Sequence, residues 1–348
     1  MSEGANHGGR TAGRNEGAAP ARLLITGVSG LLGVNLAWLA AGRFDVVGVL
    51  RGERAVADPA KAPFTTVLAD LTQPGQVDRV LDQVQPDVVV HCAALTDVDR
   101  CETHPEEAYQ ANTFLPGQLA RATASRRIRL VHISTDSVFD GERGNYSETD
   151  QPRPINTYAR TKLEGERAVA DSNPDALIAR VNFYGWSWLG RRSLSEYFFN
   201  NLTAGRPVNG FDDLIFCPLL VNDMVELLLR MLEARLTGLY HLVSSECLSK
   251  FAFAQLLARE FGFDETLVAP ASYTSAGLRA PRSPRLSLCC DRLANALGCS
   301  LPGQVPAMRR YVELHRQGYP QMLHSMFVRK EAFRTNALFR DPNHSLAE

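Results

Sequence analysis

The sequence predicts an α/β fold, in which a doubly wound parallel sheet is followed by a smaller C-terminal lobe. Three observations favour this prediction. A short apolar run at residues 23–25 leads directly into a turn with glycines at positions 27, 30 and 33. Further apolar runs alternate with helical stretches up to about residue 182, which is typical of parallel sheets. Beyond residue 183 this alternation largely stops, so the later segments are expected to close over the sheet edge.

The first strand and its glycine turn predict a dinucleotide-binding site of the Rossmann type. A helical stretch at residues 34–41 follows the turn, and such a fingerprint has meaning only between a strand and a helix. Glycines let the backbone approach a pyrophosphate, and the helix start offers N–H groups to that anion. The alternative is an ordinary tight turn. The predicted cofactor contacts in this segment are Gly27, Ser29, Gly30, Leu31, Leu32 and Gly33.

The ends of the next two strands predict the site for the adenosine half of the cofactor. A strand over residues 44–50 ends at Arg51, and an arginine at this point suits a ribose 2′-phosphate. Arg51 therefore favours NADPH over NADH, with a solvated surface arginine as the alternative. A third strand over residues 66–71 carries Asp70, which is placed to accept a hydrogen bond from an adenine amino group, and Leu71 beside it.

The fourth strand is a fully buried run over residues 87–94. It ends in Ala93 and Ala94, whose small side chains would let the backbone lie against the cofactor. His91 lies in the same apolar run without a metal partner in view, so we expect a core histidine with satisfied hydrogen bonds.

A helix and a fifth strand then bring polar groups toward the carboxyl edge of the sheet, where ligands of such folds bind. The helix over residues 106–125 contains Asn112, and the strand over residues 129–135 ends at Thr135. Both residues are therefore candidates for the reacting site.

Tyr158 and Lys162 begin the helical stretch that follows a loop rich in glycine and proline. Residues four apart share one face of a helix, so the phenol and the ammonium group can meet in one site. The alternative is an ordinary exposed helix pair. Later strands over residues 176–182 and 238–243 complete the predicted sheet.

The chain therefore divides into four parts. Its first residues contain small and polar side chains without an apolar run, and such a segment cannot bury enough surface to become ordered. The predicted parts are 1–20, a disordered tail; 21–182, the NADP-binding Rossmann domain, completed by the strand near 238–243; 183–310, mainly a substrate-binding lobe; and 311–348, a C-terminal extension.

Composition excludes several classes of function. A net charge of −1 over 348 residues disfavours nucleic acid as a partner, because binding phosphates needs a basic surface. No apolar stretch is long enough for a signal peptide or a membrane span, so a cytoplasmic protein is expected. Seven cysteines without zinc spacing predict no metal site and no disulfide framework, and we expect buried or free thiols.

Five short motifs carry a resemblance to a known family. They are Gly27-x-x-Gly30-x-x-Gly33, Ala93-Ala94-x-Thr96-x-Val98-Asp99-x-Cys101-Glu102, Ala111-Asn112, Ser134-Thr135-Asp136-Ser137-Val138-Phe139-Asp140-Gly141 and Pro154-x-x-x-Tyr158-x-x-x-Lys162-x-x-Gly165-Glu166. Together they resemble the extended short-chain dehydrogenases/reductases, and within these the dTDP-4-dehydrorhamnose reductase group. The resemblance covers residues 23–184 well and the C-terminal lobe loosely.

The resemblance implies that NADPH reduces the C4 carbonyl of a nucleotide-diphosphate 4-keto-6-deoxysugar. A homodimer is compatible with the sequence, which leaves the oligomeric state open. It implies that Tyr158 donates the proton and that Lys162 lowers the tyrosine pKa and holds the nicotinamide ribose. Thr135 would then bind the carbonyl oxygen, and Asn112 would support a proton relay through water. The implied substrate contacts are Thr96, Val98, Ser137, Asn182 and Phe183, and Ala93, Ala94, Thr96, Tyr158 and Lys162 are implied cofactor contacts.

Two departures from the family pattern concern the substrate side. Ser137 stands where the family has a tyrosine that contacts the sugar, and Ala159 stands where it has a glycine. The arginine–proline element of the family resembles residues 279–283, but with altered spacing.

Two alternatives stay open at this point. One is a cofactor-binding regulatory subunit similar to the beta subunit of methionine adenosyltransferase, whose mark would be a damaged Tyr/Lys/Thr set. The other is an epimerase or dehydratase of the same superfamily. A dehydratase has an acidic pair after the catalytic threonine, and here that pair is incomplete, because Asp136 is followed by Ser137.

Overall fold

The structure is a computed structural model that describes residues 20–52, 54–56, 58 and 62–329. The predicted tail at residues 1–19 and the last part of the predicted extension, residues 330–348, lie outside the described residues.

The first half of the chain alternates strands and helices, as predicted. Its elements are β1 (Arg22–Thr26), α1 (Leu31–Ala40), β2 (Asp45–Leu50), β3 (Arg54–Val56), β4 (Thr65–Leu68), α2 (Gln76–Val84), β5 (Val88–His91), α3 (Val98–Thr103), α4 (Pro105–Tyr109), α5 (Leu115–Ser125), β6 (Arg129–Thr135), α6 (Thr157–Ser172) and β7 (Leu177–Val181). A π-helical turn, Gln110–Phe114, joins α4 to α5 within the helix that the sequence predicts as continuous.

The second half has shorter strands and more irregular connections. Its elements are β8 (Phe183–Tyr184), α7 (Leu194–Thr203), β9 (Val208–Phe211), β10 (Ile215–Phe216), β11 (Leu219–Leu220), α8 (Val221–Glu233), β12 (Gly238–Leu242), β13 (Leu248–Ser249), α9 (Lys250–Phe261), β14 (Val268–Ala271), β15 (Arg285–Leu286), α10 (Asp291–Leu297), α11 (Gln304–Arg316), α12 (Tyr319–Met326) and β16 (Phe327–Arg329).

Seven strands form one parallel sheet in the order β12-β7-β6-β5-β1-β2-β4. From β1 the chain first builds outward through β2 and β4, and then returns to build the other side from β5. The direction therefore reverses between β1 and β5, and the crevice outside such a switch point is where open α/β sheets bind ligands. This confirms the predicted doubly wound parallel fold.

Alternating side chains of each strand supply two apolar layers, one on each face of the sheet. In β1, Leu23 and Ile25 pack into one buried cluster and Leu24 into the other, as the two-residue period of a strand requires. Helices α1 and α8 cover the first face, and α2 and α5 cover the second. The larger cluster continues into the second half of the chain, where α9 and α11 contribute to it.

The cysteine prediction is wrong at one pair, because Cys217 and Cys247 form a disulfide. Antiparallel pairing of β10 with β13 brings the two residues together across a sequence separation of 30. Nothing in the local sequence around either cysteine predicts this disulfide. The other five cysteines, all in the described part of the chain, are free thiols.

The histidine in the fourth strand lies in the core, as predicted, but the expectation that its hydrogen bonds are satisfied is wrong for one ring nitrogen, because Nε2 has no partner among the described residues. His91 is 1% exposed, its Nδ1 atom is 2.7 Å from Thr26 Oγ1, and burial lowers its pKa to about 3. Within the described residues, no helix is both long and apolar enough to cross a membrane.

Candidate active site

A cavity of about 630 Å³ lies at the carboxyl ends of the neighbouring strands β1 and β5. Eight of the predicted cofactor residues line it, namely Gly27, Ser29, Gly30, Arg51, Asp70, Leu71, Ala93 and Ala94. The other six, Leu31, Leu32, Gly33, Thr96, Tyr158 and Lys162, are not among the residues of its wall. Residues distant in sequence thus meet in one space large enough for a dinucleotide.

The glycine turn has the geometry that an anion site requires. Gly27 has a φ of +69°, and Gly30 N–H donates a 2.8 Å hydrogen bond to the carbonyl oxygen of Gly27. A Cβ atom on Gly33 would stand 2.2 Å from the same oxygen, so the third glycine allows α1 to pack against the turn. Gly30 gives α1 no side-chain cap, which leaves first-turn N–H groups available for a phosphate.

Arg51 and Asp70 line the same cavity as the glycine turn, from the ends of the next two strands, β2 and β4. Arg51 is exposed directly after β2. Asp70 accepts hydrogen bonds from Thr72, from its N–H at 3.1 Å and from its hydroxyl at 2.6 Å. Burial raises the pKa of Asp70, but these bonds and the nearby Arg51 charge outweigh it and hold that pKa below the ordinary value.

Both residues of the predicted pair on α6 lie against β6. Lys162 is 2% exposed, and its Nζ donates a 2.7 Å hydrogen bond to the carbonyl oxygen of Ile133. One helical turn earlier, the Tyr158 hydroxyl lies close enough to the Thr135 side chain, at the end of the same strand, for that side chain to lower its pKa. The helix start is fixed by Asn156, whose side chain accepts from Ala159 N–H at 2.8 Å. Tyr158 and Lys162 are therefore two anchored groups, and not an exposed helix pair.

The expected effect of Lys162 on the tyrosine is wrong in this structure. Burial raises the pKa of Tyr158 to about 12, and the Thr135 side chain opposes this only in part. Burial also lowers the pKa of Lys162 to about 8, against the attraction of Glu166. The phenol therefore keeps its proton at neutral pH, which is the state that a proton donor needs.

Asn112 lies in the π-helical turn and is fully buried. Its side chain binds both backbone groups of Leu95, accepting from the N–H at 2.9 Å and donating to the carbonyl oxygen at 3.0 Å. It also donates to Thr161 Oγ1 at 3.2 Å. A Cβ atom on Gly165 would stand 2.1 Å from the Asn112 carbonyl oxygen, so a glycine is needed where α6 crosses this turn. Asn112 thus joins α6 to the loop after β5, and its role in a proton relay stays a prediction.

The predicted substrate residues are spread around the catalytic end of β6. Asn182 donates a 2.5 Å hydrogen bond to Asp136, which also accepts a 3.2 Å bond from the Ser137 hydroxyl. Phe183 begins β8 directly after Asn182. Val98 starts α3 across the cleft, and Thr96 is exposed just before it.

Sequence reasoning missed two cationic residues. Arg192 lines the dinucleotide cavity from the loop before α7. Lys250, the first residue of α9, lies close enough to Asp136 and Arg282 for their charges to affect its pKa, which burial lowers. In the sequence, the aromatic stretch at residues 183–188 was a signal for the loop that carries Arg192, whereas no sequence signal pointed to Lys250.

A glycine turn at the switch point, with an anchored tyrosine and lysine beside it, defines the class of this protein. It is an extended short-chain dehydrogenase/reductase, as the sequence motifs predict. Within that class, the chain belongs to the family described as the RmlD substrate binding domain, whose model matches residues 21–316. The predicted resemblance is therefore confirmed.

Three curated relatives illustrate this membership. A probable low-salt glycan biosynthesis reductase, Agl14, of Haloferax volcanii is 37% identical over 287 residues, covering 80% of this chain and 93% of the relative. A dTDP-4-dehydrorhamnose reductase of Mycobacterium tuberculosis is 35% identical over 281 residues, covering 78% and 84%. The methionine adenosyltransferase 2 subunit beta of Bos taurus is 32% identical over 287 residues, covering 78% and 81%.

A solved structure shares the fold over nearly its whole length. The dTDP-4-dehydrorhamnose reductase of Bacillus anthracis, determined in complex with NADP, matches with a TM-score of 0.73 at 25% identity. The match covers 84% of this chain and 99% of that one.

Proposed function

We propose that this protein is an NADPH-dependent reductase of the C4 keto group of a nucleotide-diphosphate 4-keto-6-deoxysugar. The observation that carries the proposal is the arrangement of three side chains next to the dinucleotide cavity. The Tyr158 hydroxyl lies beside the Thr135 side chain, and Lys162 is anchored one turn away by its bond to Ile133, close to Cys92 of the cavity wall. The reductases among its relatives, and the NADP complex of a similar enzyme, support the same conclusion.

Three residues of this chain would carry out the reduction. NADPH supplies the hydride that converts the keto group to an alcohol. Tyr158 donates a proton to the carbonyl oxygen, and its pKa of about 12 keeps that proton available at neutral pH. Thr135 holds the carbonyl oxygen in line with the phenol. Lys162 contributes positive charge beside them and binds the nicotinamide ribose.

The dinucleotide cavity suits NADPH at each of its charged parts. The uncapped start of α1 fits the pyrophosphate, and the exposed Arg51 fits the 2′-phosphate. Asp70 faces the adenine end, where its carboxylate is already ordered by Thr72. NADH remains an acceptable second cofactor, because most of the cavity binds groups that both cofactors share.

Replacing Arg51 tests this assignment. Arg51→Asp should weaken NADPH binding by on the order of 10²-fold, because it exchanges a charge-assisted bond for a repulsion. NADH, which has no 2′-phosphate, should lose little affinity. Fluorescence titration with both cofactors measures the two dissociation constants. An equal effect on both cofactors, or no effect, would identify Arg51 as a surface charge without a cofactor role.

On the substrate side, the lobe formed mainly by residues 183–310 would supply the nucleotide-sugar contacts. Asn182 and Ser137 lie beside the reacting end of β6 and would bind sugar hydroxyls. Lys250 lies within electrostatic range of Asp136 and Arg282, and Arg282 is itself paired with Asp99 at 3.1 Å, so Lys250 is the cation proposed to bind the diphosphate. The remaining proposed contacts are Thr96, Val98 and Phe183.

One assay tests the proposed reaction. Purified protein is mixed with dTDP-, UDP- and GDP-linked 4-ketosugars in turn, and NADPH absorbance is followed. Consumption of NADPH with one nucleotide series would support the proposal and name the nucleotide. Tight NADPH binding without reduction of any ketosugar would favour the regulatory alternative, to which the 32% identity with the methionine adenosyltransferase subunit lends weight. Conversion without net NADPH consumption would favour an epimerase.

Ser137 should set the size of the sugar pocket. The serine is shorter than the tyrosine expected at this place, so the wild-type protein should accept a bulkier sugar than a Ser137→Tyr variant does. The ratio of kcat/KM for a larger and a smaller ketosugar should fall by roughly tenfold in the variant, since small changes of pocket volume have effects of this size. An unchanged ratio of kcat/KM would show that Ser137 does not determine the size of the sugar pocket.

The cytoplasmic location and the homodimer stay predictions. Cell fractionation and analytical ultracentrifugation measure them directly.

A further inference from the structure

The C-terminal segment of residues 317–329 follows the end of the family match at residue 316. It consists of α12 and β16. Strand β16 pairs with β3 on the cofactor side of the molecule, and α12 lies against the second half of the chain, where His324 approaches Gly190. Three separate contacts connect it to elements that build the dinucleotide cavity.

The first contact is with α1, the helix that follows the glycine turn. The Tyr319 hydroxyl donates a 2.7 Å hydrogen bond to Asn35 Oδ1, and both residues are buried. The amide nitrogen of Asn35 in turn donates to the carbonyl oxygens of Leu31 and Trp186, at 2.8 and 2.9 Å. The segment is thereby joined to the first turn of α1.

The second contact is with the glycine turn itself, through one intermediate side chain. The indole N–H of Trp188 donates a 2.7 Å hydrogen bond to the carbonyl oxygen of Ser29. The Phe327 ring packs on Trp188, with ring centroids 5.4 Å apart.

The third contact is with the connection between β2 and β4, which carries Arg51. Strand β16 pairs antiparallel with β3, and Phe327 lies opposite Val56. The Phe327 ring also packs on Phe64, immediately before β4, with centroids 6.2 Å apart. Phe327 is 3% exposed. Phe327 therefore contacts this connection at two places, at Val56 in its middle and at Phe64, its last residue, whereas Arg51 is its first residue.

We propose that the C-terminal segment is a positioning element for cofactor choice, in which Phe327 holds the β2–β4 connection so that Arg51 faces the 2′-phosphate of NADPH. The proposal rests on the proposed NADPH function and deepens it. Arg51 is exposed directly after β2, and holding such a side chain in its binding position beforehand improves affinity.

The test compares the two cofactors in Phe327→Ala. The dissociation constant of NADPH should rise about tenfold, in line with the partial loss of an arginine–phosphate contact, whereas that of NADH should stay within about twofold. Val56→Ala is a smaller truncation of the same contact, and it should shift the ratio of the NADPH and NADH dissociation constants in the same direction. This variant provides the test if Phe327→Ala does not fold.

Two controls separate positioning from general loss of packing. Phe263→Ala removes a ring that packs on Phe199 and Phe261 in the other lobe, and it should leave the NADPH-to-NADH ratio unchanged. In an Arg51→Ala background, Phe327→Ala should produce no further change of that ratio, because residues acting through one another are not additive.

Three results would overturn the inference. These are equal losses for both cofactors, an unchanged ratio in both Phe327→Ala and Val56→Ala, and full additivity with Arg51→Ala. If Arg51→Asp weakens the binding of NADPH much more than that of NADH, the proposed function stands even when one of these three results is obtained. A wild-type protein that binds no NADPH would overturn both.

Discussion

Tyr158→Phe should lower the turnover of the ketosugar by roughly 10²–10⁴, the usual contribution of a positioned general acid. The substitution removes the hydroxyl that lies beside Thr135 and keeps the aromatic ring at its place on α6. The dinucleotide cavity is built from other residues, so the affinity for NADPH should barely change. Single-turnover absorbance and a fluorescence titration measure the two quantities separately.

Tyr197→Phe is a matched control, because it removes a tyrosine hydroxyl from a side chain that is 50% exposed on α7. Its turnover should equal that of the wild type. Undiminished reduction by Tyr158→Phe would contradict the mechanism, and equal losses in both variants would indicate a general effect on the fold.

Glu166→Ala should produce the largest loss of stability among single substitutions near the site. Glu166 and Arg180 form a buried ion pair with Oε2 and Nη2 2.8 Å apart, and their side chains are 6% and 3% exposed. The Ser134 hydroxyl donates a further 2.5 Å bond to the same carboxylate. Removing the carboxylate leaves an uncompensated buried guanidinium, which costs about 3–5 kcal/mol. The urea midpoint of unfolding should fall accordingly.

Two variants show whether the buried charge is the cause. The double substitution Glu166→Met and Arg180→Met removes both charges and should recover most of the lost stability, since apolar pairs replace buried ion pairs well. Glu265→Ala breaks an exposed pair with Arg259 and should leave the urea midpoint almost unchanged. A Glu166→Ala protein as stable as the wild type would contradict the assigned role of the pair.

Local sequence pattern was sufficient for the elements that bind the cofactor. The glycine spacing 27–30–33 works through contacts within a few residues, such as the bond from Gly30 to Gly27. The four-residue spacing of Tyr158 and Lys162 puts both on one helix face whatever the surroundings. Parallel strands also bring their carboxyl ends to one edge, which is why Thr135 could be assigned to the site before its neighbours were known.

Electrostatic properties could not be obtained in the same way. The sequence suggested that Lys162 lowers the pKa of Tyr158, but the lysine ammonium is bonded to Ile133 and burial raises the pKa of the phenol. Burial depends on every element that packs around a group, so a pair of residues does not determine it.

The sequence by itself therefore determined the parallel α/β fold, the dinucleotide turn and the reductase motif, because periodicity and short spacings act through neighbouring residues. Only the tertiary structure decided the Cys217–Cys247 bond, the place of Arg192 in the cavity and the contact of Phe327 with the Arg51 connection. Each of these joins segments whose approach is fixed by strand pairing and helix packing elsewhere in the chain. Such contacts have no local signature, because the side chains involved acquire their neighbours only when the whole core is formed.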